Sequence, residues 1–136
     1  MFKTLNHAIK DKTKTMLIDS DLLAYKVTSK LEEAIDWGDD QWTLHCDFAV
    51  AKQFYAQAIG FYMKLTNSGG YLNVFSDKNN FRKELDSDYK SYRKKIRKPV
   101  CYQALRKWIF KQYPSTFLPN LEGDDTIGIL ATGQYK

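Results

Sequence analysis

The chain predicts an α/β domain built on an open sheet of mainly parallel strands. Two observations predict it: short apolar runs that each end in carboxylates, and a long amphipathic stretch separating the first two of them. A helix between consecutive strands implies a right-handed crossover and therefore parallel pairing. The 136 residues suffice for one core and are too few for two ordinary domains.

Residues 1–14 are polar, Lys-rich and without periodicity, and they lead into Thr15-Met16-Leu17-Ile18, a buried strand ending at Asp19. Ser20-Asp21 is read as the cap of a helix whose stripe is Leu22, Leu23, Tyr25, Val27 and Leu31. That helix fades into the acidic loop Asp36-Trp37-Gly38-Asp39-Asp40. From 41 to 65, Phe48, Ala51, Phe54, Tyr55, Ala58, Ile59, Phe61, Tyr62 and Leu65 recur at three- and four-residue steps, the period of one long helix. Asn67-Ser68-Gly69-Gly70 ends it, and Tyr71-Leu72-Asn73-Val74-Phe75 is a second strand stopping at Ser76-Asp77. Pro99 suits the first turn of a helix carrying Val100, Ala104, Leu105, Trp108 and Ile109 on one face, closed by Pro114. Thr116-Phe117-Leu118 reads as a third strand, and a last helix begins at Glu122. There are no internal repeats.

The 43% hydrophobic and 15% aromatic content argues for a globule rather than disorder. No apolar run approaches the roughly 20 residues that cross a bilayer, and no apolar segment with a cleavage site follows Met1, so a soluble cytoplasmic protein is expected. Cys46 and Cys101 lack a second Cys or a His at ligand spacing and read as small buried hydrophobes, not as a zinc or disulfide pair. Net charge is only +5, but eight of the 21 Lys and Arg fall between residues 82 and 98. Such a cluster attracts polyanions.

The carboxylates that matter form three groups: Asp19 with Asp21, Asp77, and Glu122 with Asp124 and Asp125. Acids at strand tips lie where open α/β sheets bind ligands. A site of Asp and Glu without His or Cys suits Mg2+ or Mn2+ far better than zinc, and two such ions about 4 Å apart can serve phosphodiester hydrolysis. Asp19, Asp77, Glu122, Asp124 and Asp125 are the expected ligands of one or two ions. Each group also has an ordinary reading. Asp77 could form a turn, Asp21 could cap a helix, and a basic run is usually a solvated face. In Leu121-Glu122-Gly123-Asp124-Asp125, however, three carboxylates crowd a helix start whose dipole offsets only ~1 kcal/mol each, and a cation explains that crowding better. Tyr89 and Tyr92 offer surfaces for base stacking, and Lys90 and Arg93, three apart, share a helical face suited to a phosphate. Phe54, Tyr55, Phe61 and Tyr62 are assigned to the core. A phosphatase reading of Asp19-Ser20-Asp21 leaves the basic arm and the third acidic group unexplained.

Together these pieces resemble the 5′-nuclease superfamily of flap endonucleases and 5′-to-3′ exonucleases, above all the exonucleases of short-tailed bacteriophages. The resemblance rests on Met16-Leu17-Ile18-Asp19-Ser20-Asp21, Phe75-Ser76-Asp77, Asn80-Phe81-Arg82-Lys83-Glu84-Leu85, Asp88-Tyr89-Lys90-Ser91-Tyr92-Arg93-Lys94, Lys98-Pro99-Val100 and Leu121-Glu122-Gly123-Asp124-Asp125. It implies a PIN-like three-layer open sheet and metal-dependent hydrolysis of DNA carrying a 5′ end or flap, with RNA cleavage left open. Residues 1–136 would be the N-terminal part of the catalytic domain, with a basic helical arch at about residues 79–98. By the same resemblance the five acids surround the first metal, and Lys90 and Arg93 stabilise the transition state. Asp21, Arg82, Lys83, Tyr89, Lys94 and Lys95 lie along the DNA. In the family the Glu-x-Asp-Asp helix precedes another strand with two more metal-binding aspartates and then a duplex-binding region. Here Asp125 is followed by eleven residues. The sheet is therefore expected to be incomplete on its C-terminal side and to be completed by a second polypeptide or by self-association. A non-catalytic nucleic-acid-binding or assembly subunit with one metal site is the alternative.

Overall fold

Met16 and Ile18, two apart, turn to the same side of strand β1 (Asp11–Asp19), and both are buried. The structure, a computed structural model, describes residues 11–78, 81–86 and 97–133. Asp19 ends β1 and caps helix α1 (Ser20–Leu31) by accepting from the Leu22 amide, so the cap falls one residue before the Ser20-Asp21 pair expected to supply it. The buried face of α1 is Ser20, Ala24, Val27 and Thr28, whereas Leu22 and Tyr25 of the predicted stripe are exposed. Thr28 tolerates burial because its hydroxyl donates to the Ala24 carbonyl at 2.8 Å.

The predicted helix from residue 41 is overturned at its start. Glu33–Asp36 (β2) and Trp42–His45 (β3) pair as an antiparallel hairpin, and helix α2 (Phe48–Thr66) begins only after Asp47, whose side chain accepts from the Ala49 and Val50 amides. Trp42-Thr43-Leu44 opposite Ala34-Ile35-Asp36 satisfies its backbone across the ladder, which a helix start lacking a cap would not do. The acidic loop makes this return possible. Gly38, Asp39 and Asp40 all take positive φ (87, 52 and 59°), the Gly38 amide donates to Asp36 Oδ1 at 2.9 Å, and the Trp37 amide donates to the Gln41 carbonyl at 2.8 Å.

Along α2 the buried side is Ala51, Tyr55, Ile59 and Gly60. Phe54, Phe61 and Tyr62, assigned to the core from periodicity, are exposed, and Phe61 and Tyr62 pack edge to face with centroids 5.4 Å apart. Tyr55 alone of the four aromatics is buried. Asn67 in the left-handed region (φ 53°) ends the helix as its sequence predicts, and β4 (Ser68–Val74) returns parallel to β1 with Ile18 opposite Asn73 and Asp19 opposite Val74. The short helix α3 (Phe81–Leu85) lies within the predicted arch, whose residues 79–80 and 87–96 fall outside the described residues. Pro99 precedes helix α4 (Tyr102–Gln112) rather than entering it: its carbonyl accepts from the Tyr102 amide at 3.0 Å. Strand β5 (Ser115–Thr116) adds to β4 in parallel, and helix α5 (Gly123–Ala131) follows.

The sheet order β1-β4-β5, all parallel, is the α/β architecture the strand and helix alternation predicts. Helix α1 packs against α2 and α4, and α5 against β1 and β4. The core joins Met16, Ile18, Val27, Tyr55, Ile59, Phe75, Leu105 and Ile109. Cys46 and Cys101 also lie in it as free thiols. Burial pushes the Cys46 thiol up to about 12, and Cys101 Sγ donates to the Cys46 carbonyl at 3.3 Å. Among the described residues no helix is long and apolar enough to cross a membrane.

One buried polar group ties these elements together. Asn73 Oδ1 accepts from Ser20 Oγ at 2.8 Å and from the Tyr55 hydroxyl at 2.5 Å, while its Nδ2 donates to the Pro114 carbonyl at 3.1 Å. We expect Asn73→Ala to destabilise the fold by about 2–4 kcal/mol, since it strips the acceptor from a buried phenol and opens a cavity. Tyr55→Phe, which removes one donor and leaves Asn73 Oδ1 bonded to Ser20, should lose only about 1 kcal/mol. Urea unfolding of the two variants checks the order.

Candidate active site at the ends of β1 and β4

Parallel pairing brings the C-terminal ends of β1 and β4 side by side, with Asp19 at one end and Ser76-Asp77 just beyond the other. The loop before α5 is fastened onto this edge. The Asp77 amide donates to the Leu121 carbonyl at 3.0 Å, Asp77 Oδ2 accepts from the Asn120 amide at 2.9 Å, and Ser76 Oγ accepts from the Gly123 amide at 2.8 Å. The start of α5, with its acids, is thereby drawn against Asp19. A Cβ on Gly123 would lie 3.4 Å from Ser76 Oγ and 3.8 Å from Asp19 Oδ1, so the absent side chain keeps a small cradle open between the two.

The six acids of the region divide by their partners. Asp21 is turned inward: Oδ2 accepts from the Ser76 amide at 2.7 Å, and Oδ1 accepts from Arg106 Nε at 2.7 Å and from the Tyr102 hydroxyl at 3.2 Å. Asp125 is held by both terminal nitrogens of Arg82, one of them at 2.8 Å from Oδ1, and Glu122 lies 3.8 Å from the same guanidinium. That pairing lowers the Asp125 carboxyl below its usual range. Asp19 moves the opposite way: partial burial raises it first, followed by the charges of Asp124 and Asp21. Asp124 is exposed at the first turn of α5.

The structure thus brings Asp19 and Asp124 within each other's field and commits Asp21 and Asp125 to arginines. Among the described residues no three Asp, Glu, His or Cys gather where they could hold a metal ion, so the five expected ligands do not form one cluster. Of the basic residues expected along DNA, Arg82 sits beside the acids with its guanidinium 4.6 Å from the Phe81 ring. The side chain of Lys83, and Tyr89, Lys90, Arg93, Lys94 and Lys95 altogether, lie outside the described residues. Arg97, where the chain re-emerges from the basic run, pairs with Glu32 at the end of α1, and the Val100 amide donates to the same carboxylate at 2.7 Å.

Sequence reasoning missed Arg106. It stands on α4 between the buried Leu105 and Ile109 and four residues after Tyr102, so both reach Asp21 from one helical face. An Arg flanked by core positions was the available signal.

Over 123 aligned residues the chain is 32% identical to the exonuclease of Escherichia phage T7 and to the exodeoxyribonuclease of Enterobacteria phage T3. The chain is similar in sequence to these phage exonucleases. The matched stretch covers 86% of this chain and 41% of each relative, so the chain spans about two fifths of the length of the curated exonucleases it matches. No protein-family model matches it, and no solved structure does.

The raised Asp19 has a consequence that can be measured. A carboxyl whose folded pKa lies above its unfolded value destabilises the fold while ionised, and the penalty vanishes as pH falls through the folded pKa. Asn caps a helix as well as Asp. We therefore expect Asp19→Asn, in chelator at neutral pH, to be as stable as wild type or more so. The difference should close as the pH falls through the raised pKa of the folded carboxyl and on past its ordinary, unfolded value, where both states are protonated. Urea titrations across that range check it.

Proposed function

We propose that this chain carries the catalytic acids and substrate-facing arm of a divalent-metal-dependent 5′-to-3′ exonuclease or flap nuclease acting on DNA in the cytoplasm. The observation that carries the reading is the meeting of Asp19 with the acidic start of α5 at the ends of two parallel strands, beside Arg82. Kinship with two proteins named as exonucleases points the same way.

The donor set fits a hard cation. Asp19 and Asp124 repel each other across the Gly123 cradle, and a Mg2+ or Mn2+ ion relieves that repulsion through oxygen ligands and bound waters. Such an ion supplies an activated water and neutralises charge on the phosphoryl oxygens. Asp19 and Asp124 would hold it directly, with Asp77, Glu122 and Asp125 around them, some through water. Arg82 would neutralise a substrate phosphate, and its present pairing with Asp125 keeps the guanidinium at the site. The roles of Lys90, Arg93 and Tyr89 rest on the resemblance of their motif.

We further propose that the working enzyme needs residues beyond this stretch, carried by the same or another polypeptide. Beside β1, Met16, Ile18, Leu22, Leu23 and Tyr62 line a groove of about 270 Å³, and no described strand pairs with that edge of the sheet. An apolar groove along an open strand edge suits an added strand. The second reading, a DNA-binding subunit that does not cleave, is favoured by the spread of the acids, no three of which gather into a ligand cluster among the described residues.

The two separate in a cleavage assay. A 5′-labelled duplex and a 5′-flap substrate are incubated with the 136-residue chain in Mg2+ or Mn2+. Nucleolysis that is lost in chelator and reduced by about 10²-fold or more in Asp125→Asn supports the nuclease. Salt-sensitive binding with no cleavage, unchanged by Asp125→Asn and still without cleavage when the remaining residues are supplied on the same or a second polypeptide, replaces it with the second reading.

A further inference from the structure

We propose that Arg106 is a positioning residue of the acidic site, gripping the backbone from which that site is hung. Strand β4 ends at Val74, and Ser76 lies past its last ladder pair with β5. Its backbone polar groups are nevertheless both bound. The Ser76 N–H donates to Asp21 Oδ2 at 2.7 Å, and the Ser76 carbonyl accepts from Arg106 Nη2 at 3.0 Å. Arg106 Nε closes the circuit by donating to Asp21 Oδ1 at 2.7 Å, and its guanidinium lies 5.0 Å from the Phe75 ring.

Three groups from three elements thus form a closed loop: Asp21 from α1, Arg106 from α4 and the Ser76 peptide after β4. Ser76 passes this rigidity on in two directions. Its carbonyl leads into Asp77, and its Oγ holds the Gly123 amide, which places Glu122, Asp124 and the Asp19 cradle relative to one another. Arg106 need not touch a metal or a phosphate to set their spacing. A guanidinium is the group for such a grip, because its fixed fork donates to a carboxylate and a carbonyl at once, whereas an ammonium is a single point on a flexible stem.

The proposal rests on the metal reading above, and its test separates the two. Mn2+ is titrated into the 136-residue chain and followed by electron paramagnetic resonance, for wild type, Arg106→Gln, Arg106→Lys and Ser76→Ala, with thermal unfolding of each recorded in chelator. We expect Arg106→Gln to weaken Mn2+ binding by about 10- to 100-fold, as outer-shell changes do, and Arg106→Lys to recover only part of that. Ser76→Ala should weaken it as well, and the double variant with Arg106→Lys should show less than the summed effect, because both act through one residue, Ser76. If Arg106→Gln does not fold, the folded Arg106→Lys decides. Variants that melt earlier but bind Mn2+ as wild type does overturn the positioning role and leave the metal reading intact. Wild type that binds no Mn2+ overturns both.

Discussion

A single buried amide holds this fold in register. Asn73 is fully buried on the middle strand, and its side chain links the first residue of α1, the middle of α2 and the loop entering β5. Apolar contacts tolerate sliding by a fraction of a turn, but a hydrogen-bonded phenol, hydroxyl and carbonyl around one amide do not. The site inherits that definition. Ser20, which donates to Asn73, is the residue after Asp19, and Val74, which follows Asn73, is the register partner of Asp19. The position of the first carboxylate is therefore decided deep in the core.

At the surface end of the same strands, two arginines sort the acids into kinds. Arg106 holds Asp21 and Arg82 holds Asp125, with Glu122 close by, so these charges are compensated within the chain. No arginine among the described residues pairs with Asp19 or Asp124, and Asp19 is raised first by its partial burial and then by the charges of Asp124 and Asp21. A carboxylate paired with a guanidinium is stabilised as an anion, whereas one that is partly buried beside other carboxylates carries a penalty while ionised. The division was hidden in the sequence, where Asp19 and Asp21 look alike.

The sequence was most legible where one physical rule acted alone. The runs ending at Asp19 and Asp77, the crossover between them, the stop at Asn67 and the last helix at residue 123 all follow from periodicity and turn chemistry. It misled where two rules competed. The apolar steps of α2 extend backward into Trp42 and Leu44, yet Asp47 and the left-handed residues 38–40 turn that stretch into a hairpin. Helical spacing also sent Phe61 and Tyr62 to the core, whereas small Ala51 and Gly60 share the buried side with Tyr55 and Ile59. Among the acids, the three groups could be read from position, but their partners could not. The reach of Arg106 to Asp21 depends on α1 and α4 packing together, which no local pattern encodes.

The parallel pairing of β1 with β4 also sets a loop-closure cost on folding. Ser20 and Asn73 are 53 residues apart, so their contact waits on closing a loop that contains α1, the hairpin and α2. Those segments can form from neighbouring residues before that loop is closed. The start of α5 reaches Asp19 through Ser76, beyond the end of β4, so a chain in which β1 and β4 have not paired presents scattered aspartates to solution. Any ligand those acids hold would meet its site only in the finished molecule, slowing unfolding without speeding the search that precedes it.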